Sequence, residues 1–128
     1  MPRQILSPPT VHKPVTVYSH GVAIENIIYS AGQAPHILSG AVISSGDPQG
    51  QVEAAFQNMA EVLKAGGADF GDLVKVNLLA KRSDLIPLFF QALQARAGQT
   101  RPAFCAALVD GLAGPDYLLE FEAIAVKE

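Results

Sequence analysis

The last apolar stretch of the chain, "YLLEFEAIAV" at 117–126, carries two glutamates two residues apart. In a strand this spacing puts Glu120 and Glu122 on one face, about 7 Å apart, with Leu119, Phe121, Ala123 and Ala125 on the other. Beside Leu118, Ile124 and Val126, a carboxylate covered by another surface would gain proton affinity and could orient or activate a water. The competing reading is two solvated glutamates near a sheet edge. Cys105, the only cysteine, could act as a nucleophile only with a base close by. Its neighbours in "PAFCAALV" are apolar, which favours a small core hydrophobe. His12, His20 and His36 show no metal-ligand spacing, so no metal is expected. His20, two residues after Tyr18, is better suited to lining a pocket. In "SAGQAP" at 30–35, Gly32 would let a ligand or another backbone approach closely, or would simply make a turn. Neither Walker nor dinucleotide spacing is present, and no cofactor is expected.

Several elements have to position these residues. "DPQGQVEAAFQNMAEVLKAGGA" reads as a helix with Asp47 as N-cap, Pro48 at the first helical position and a stop at Gly66-Gly67. Val52, Ala55, Phe56, Met59, Val62 and Leu63 form its apolar stripe. A second helix is expected from Ser83 to about Ala97, with Pro87 tolerable in its first turn. In "DLVKVNLLA", Val74, Val76, Leu78 and Ala80 share a face. "VTVYSHGVAI" and "NIIYSAG" suggest a hairpin around Glu25-Asn26, and "GAVISSG" suggests a short third strand. With "PAFCAALV" and the last strand, the order is β-β-β-α-β-α-β-β. This is an α+β layout with two helices on one face of a sheet.

The 128 residues fit one domain, with residues 1–14 and their four prolines read as an N-terminal arm. The opening "MPRQILSPPTVHKP" is too polar and proline-broken for a signal peptide, and no run approaches the ~18 apolar residues of a membrane span. With one cysteine, a reducing cytoplasm is expected. A net charge of −3 with scattered basic residues argues against nucleic acid as a partner. Both faces of "PAFCAALV" are apolar, yet two helices cover only one face of a sheet. The uncovered face points to another subunit, hence a homo-oligomer.

Taken in order, "YSHGV" (18–22), "IIYSAGQAP" (27–35), "GDPQGQVEAAFQNMAEVLKAGGADFGDLVKVNLL" (46–79), "RPAF" (101–104) and "LEFEAIAV" (119–126) resemble the Rid family, the YjgF-type reactive-intermediate deaminases. The resemblance implies a chorismate-mutase-like fold, a homotrimer, and a small organic molecule bound in clefts between subunits. It implies that Glu120 positions the water that hydrolyses an imine derived from an enamine, and that Tyr18 and Gly32 line the cleft. Active family members carry an arginine after the "Pro-Ala" of the penultimate strand to grip a substrate carboxylate. Here that position is Phe104, and an apolar ring cannot replace a bidentate clamp. The family's asparagine on the second helix also has no equivalent around Pro87 to Phe89. The candidate ligand-binding residues are therefore Tyr18, Gly32, Gln33, Phe104, Cys105 and Arg101, with Arg101 as a substitute cation reaching back from beyond the strand end. The expected ligand is less acidic and more hydrophobic than an imino acid. The alternative is a non-catalytic metabolite-binding trimer. Ribonuclease or translation inhibition fits poorly with the acidic balance and the lack of a histidine pair.

Overall fold

Asp47 and Pro48 open helix α1 (Pro48–Ala65) in the computed structural model, which describes residues 2–14 and 16–128. The Asp47 carboxylate accepts from the Gly50 N–H at 2.9 Å, and the chain leaves the helix at Gly66. Val52, Ala55, Phe56, Met59, Val62 and Leu63 are fully buried along one stripe. Helix α2 (Leu85–Ala97) begins slightly later than its periodicity suggests and has Pro87 in its first turn.

Six strands make one mixed sheet in the order β1-β2-β3-β6-β4-β5. They are β1 (Arg3–Leu6), β2 (Gly21–Ile24), β3 (Ile27–Ser30), β4 (Leu73–Ala80), β5 (Ala103–Leu108) and β6 (Leu119–Val126). β4 and β5 run parallel, joined through α2, and the remaining pairs run antiparallel. Glu25-Asn26 make the tight turn between β2 and β3, with Glu25 at φ 54°.

Both helices lie on the face that presents Leu119, Phe121, Ala123 and Ala125, all buried. The core centres on three rings: Phe56 and Phe121 are 4.8 Å apart, and Phe89 is 4.9 Å from each. Such aromatic pairs add about 0.5–1.5 kcal/mol each beyond area burial. Among the described residues no helix covers the opposite face. It exposes Ile5 and Tyr29, and carries Val22, Ile124, Lys75 and Ala103 in the same cross-strand row.

Three details differ from the sequence reading. Residues 40–46 do not form a strand. The chain folds back at Gly40 (φ 92°), Ile37 N donates to Ala41 O, and only a single bridge joins His36 to Val42, so the alternation has no ladder to join. The third strand before α1 is instead Arg3–Leu6, part of the segment read as an arm. It pairs with β2 and buries Leu6. Val74 is exposed rather than in line with Val76, because the β4–β6 register shifts between Leu73 and Lys75. Among the described residues, no helix is long and apolar enough to cross a membrane.

Candidate functional site

β6 presents Glu120 on the uncovered face, opposite Leu79 of β4, whose neighbour on β5 is Ala107. After β3 the chain turns back over this strand. Gln33 N donates to Phe121 O at 2.7 Å, and Phe121 N donates to Gln33 O at 3.2 Å. This two-way pairing brings Gly32 against Glu120. A Cβ at position 32 would stand 2.8 Å from Glu120 Oε2. The close approach that the sequence allows at Gly32 is therefore made by the Glu120 carboxylate.

A cavity of about 510 Å³ opens above this carboxylate. Tyr18, Gly32 and Glu120 line it, together with His12, His36 and Tyr117. Tyr18 and His20 reach it from the loop before β2, not from a longer β2 strand. Glu120 also borders a smaller cavity of about 160 Å³ with Asn77, Leu79 and Glu122.

All three histidines meet here, which their spacing in the chain gives no sign of. The His12 and His36 rings stack at 4.1 Å, and His12 meets His20 edge-on at 5.0 Å. His20 Nε2 bonds the His12 carbonyl, so it carries the proton, and Nδ1 accepts from Gln33 Nε2 at 3.3 Å. Gln33 is buried and acts as a support for His20 and Glu120 rather than as cavity lining. His36 Nδ1 donates to Gly40 O at 2.9 Å, and its Nε2 accepts from the Tyr117 hydroxyl. The His36 loop is anchored from α1, where Asn58 Nδ2 donates to Ala34 O at 3.0 Å and to His36 O at 2.9 Å. Gln51, one heptad earlier, donates to Ile43 O and Asp116 O and accepts from Leu118 N. Two amides within an apolar helical stripe are the sequence signal for such loop anchors. Nothing in the sequence marks Tyr117 or the histidine cluster. Among the described residues no group of histidine, cysteine and carboxylate side chains is arranged to hold a metal.

The electrostatics follow from partial burial. Burial, then the charge of Glu122, raises the Glu120 pKa above the usual carboxylate value. Burial, then Glu120 and Tyr18, raises that of Tyr117. Burial, then His36 and His20, lowers His12 to about 4, so its ring is neutral at pH 7.

The remaining candidates lie elsewhere in the chain. Phe104 pairs with Val76 and faces the helices, 5.9 Å from the Phe89 ring and 4.8 Å from the Phe90 ring. It does not form a wall of the Glu120 cavity, because alternation along β5 directs it into the helix layer. Arg101 is held locally, its Nη1 donating to Gly98 O and Thr100 O, beside Phe104 at the α2 end of the molecule. Cys105 is exposed on the uncovered face, in a row with Asn77 and Glu122.

This arrangement sits in a chain whose residues 10–127 match the family model described as Endoribonuclease L-PSP. The chain belongs to this family, the Rid proteins. It is 30% identical to a RutC family protein of Pyrococcus abyssi, with all of both chains covered. It is 32% identical to a 2-iminobutanoate/2-iminopropanoate deaminase of Mus musculus over 98% of this chain and 92% of that one. Among solved structures, the YjgF gene product of E. coli superposes with a TM-score of 0.87 at 26% identity, covering 98% of this chain and 99% of that one. The Rid protein YyfA of Yersinia pestis superposes with a TM-score of 0.91, covering 98% of this chain and 100% of that one; at 20% identity it speaks for the fold alone. Two helices on a mixed six-stranded sheet are thus the chorismate-mutase-like Rid fold.

Proposed function

We propose that this Rid protein hydrolyses the C=N bond of an imine, or of the imine tautomer of an enamine, with a water held by Glu120 in clefts completed by neighbouring subunits of a homotrimer. The observation that carries this reading is the Glu120 carboxylate seated on Gly32 inside a cavity with Tyr18 and Tyr117. Its raised proton affinity suits both halves of the reaction. Glu120 takes a proton as water oxygen adds to the imine carbon. It returns one to nitrogen as the C–N bond breaks, leaving a carbonyl compound and ammonia. The mouse and rat relatives named 2-iminobutanoate/2-iminopropanoate deaminase support chemistry of this type. The uncovered apolar sheet face, with Ile5 and Tyr29 exposed, supports assembly.

The substrate differs from a 2-imino acid. Among the described residues no lysine or arginine lines the cavity, and Arg101 is tied to its own loop. A carboxylate placed beside Glu120 would be repelled without compensation. The same lack of a clamp favours the second reading, a trimer that binds a metabolite without turning it over. Ammonia release distinguishes the two. With imines generated in place by an amine oxidase, the protein accelerates ammonia release over buffer. With 2-iminobutanoate from an amino-acid oxidase it gives little acceleration. No acceleration with any imine would leave the binding reading.

A further inference from the structure

Tyr117 lines the Glu120 cavity with its hydroxyl proton already committed. A carbonyl can only accept, so His36 Nδ1, 2.9 Å from Gly40 O, carries the ring proton, and Nε2 presents a lone pair. That lone pair takes the Tyr117 hydroxyl proton. What the Tyr117 oxygen offers the cavity is therefore acceptor capacity alone. The Glu120 carboxylate in the same cavity is also an acceptor. The tyrosine ring is itself fixed, because it lies over Gly114, where a Cβ would stand 2.4 Å from Tyr117 Cε1. The cation next in the chain, Lys13, lines the two cavities beyond His12 and not this one.

We infer that Tyr117 is a specificity-determining residue, forming with Glu120 an acceptor pair that selects a small ligand bearing a cationic N–H group and no carboxylate. The rings of Tyr18 and Tyr117 add surfaces that attract such a cation. The inference rests on the imine hydrolysis proposed above. Within that reaction the substrate is a protonated aldimine, R–CH=NH2⁺. Water oxygen adds to its carbon, the C–N bond breaks, and an aldehyde and ammonium leave; no oxidant or reductant is consumed. The reaction that supplies this substrate is the dehydrogenation of a primary amine, not of an amino acid.

Calorimetric titration at pH 7 with n-propylammonium and propionate, probes of similar shape and opposite charge, tests the selection without any turnover. Propylammonium binds at least about tenfold more tightly than propionate, as one charge-assisted hydrogen bond allows. Tyr117→Phe keeps the ring over Gly114 and weakens propylammonium about fivefold or more. His36→Leu frees the Tyr117 hydroxyl to donate and narrows the preference between the two probes. Equal binding of the probes, or a folded Tyr117→Phe that binds propylammonium as the parent does, overturns the inference. The failure of each reading shows separately. Selective ammonium binding without ammonia release removes the hydrolysis and leaves the selection standing. Equal ammonia release from aldimines and 2-imino acids removes the selection and leaves the hydrolysis.

Discussion

The carboxylate of Glu120 lies where a side chain at position 32 would have to be, with Oε2 only 2.8 Å from the point a Cβ would occupy. The two residues come from different elements and are held together by the two-way backbone pairing of Gln33 with Phe121. Glycine is used here for space and not for backbone conformation, since Gly32 does not have a positive φ.

Gly32→Ala therefore displaces the carboxylate and little else. Ammonia release from an aldimine should fall at least about tenfold, while unfolding free energy changes by less than about 1 kcal/mol, because a flexible side chain can swing aside. Parallel rate and urea-unfolding measurements check this. A large loss of stability with the rate intact would show that position 32 serves packing alone.

Two groups make stability depend on pH in opposite directions. The folded-state pKa of Glu120 is raised, so its contribution is present below pH 4.5 and is lost as pH rises through the folded value. Glu120→Gln should thus be more stable than the parent at pH 7, with the gap closing on acidification. His12 is lowered from 6.5 to about 4, so its contribution is present above pH 6.5 and is lost as pH falls toward 4. His12→Phe should flatten that acid limb. Urea midpoints between pH 4 and 7.5 for the three proteins separate the two effects. Parallel curves for parent and His12→Phe would contradict the burial of His12.

Phe104 and Cys105 are adjacent in sequence and face opposite sides of the sheet. Phe104→Arg should cost about 1–3 kcal/mol by opening a half-buried aromatic contact with Phe89 and Phe90, and should bring no carboxylate binding. Cys105→Arg places a guanidinium in the row with Asn77 and Glu122 on the uncovered face. Thermal shifts with pyruvate or 2-oxobutyrate should appear only in the Cys105 variant. A shift confined to Phe104→Arg would reverse the assignment of faces.

What the sequence made legible was whatever has a period. The α1 stripe from Val52 to Leu63 and the alternation of Leu119, Phe121, Ala123 and Ala125 are buried as their spacing requires. Tyr18, Gly32 and Glu120 line one cavity. Alternation along β5 shows two apolar faces but not which one the helices cover. That is settled by the pairing of Phe104 with Val76. The histidine cluster was illegible for another reason. His12 and His36 lie in loops without period, held in place by single bonds from His20 to His12 O, from Asn58 to His36 O and from His36 to Gly40 O. A residue such as Val74 turns outward because of a register shift set by its partner strand, not by its own neighbours.

The central claim is that the Glu120 carboxylate handles the protons of C=N hydrolysis. Ammonia release from an amine-derived aldimine, measured for the parent and for Glu120→Gln at equal concentration and matched oligomeric state, tests it most directly. Loss of general acid–base catalysis predicts a fall of about 10²–10⁴-fold in rate, with propylammonium binding weakened as well. A Glu120→Gln protein that releases ammonia at the parental rate would contradict the account.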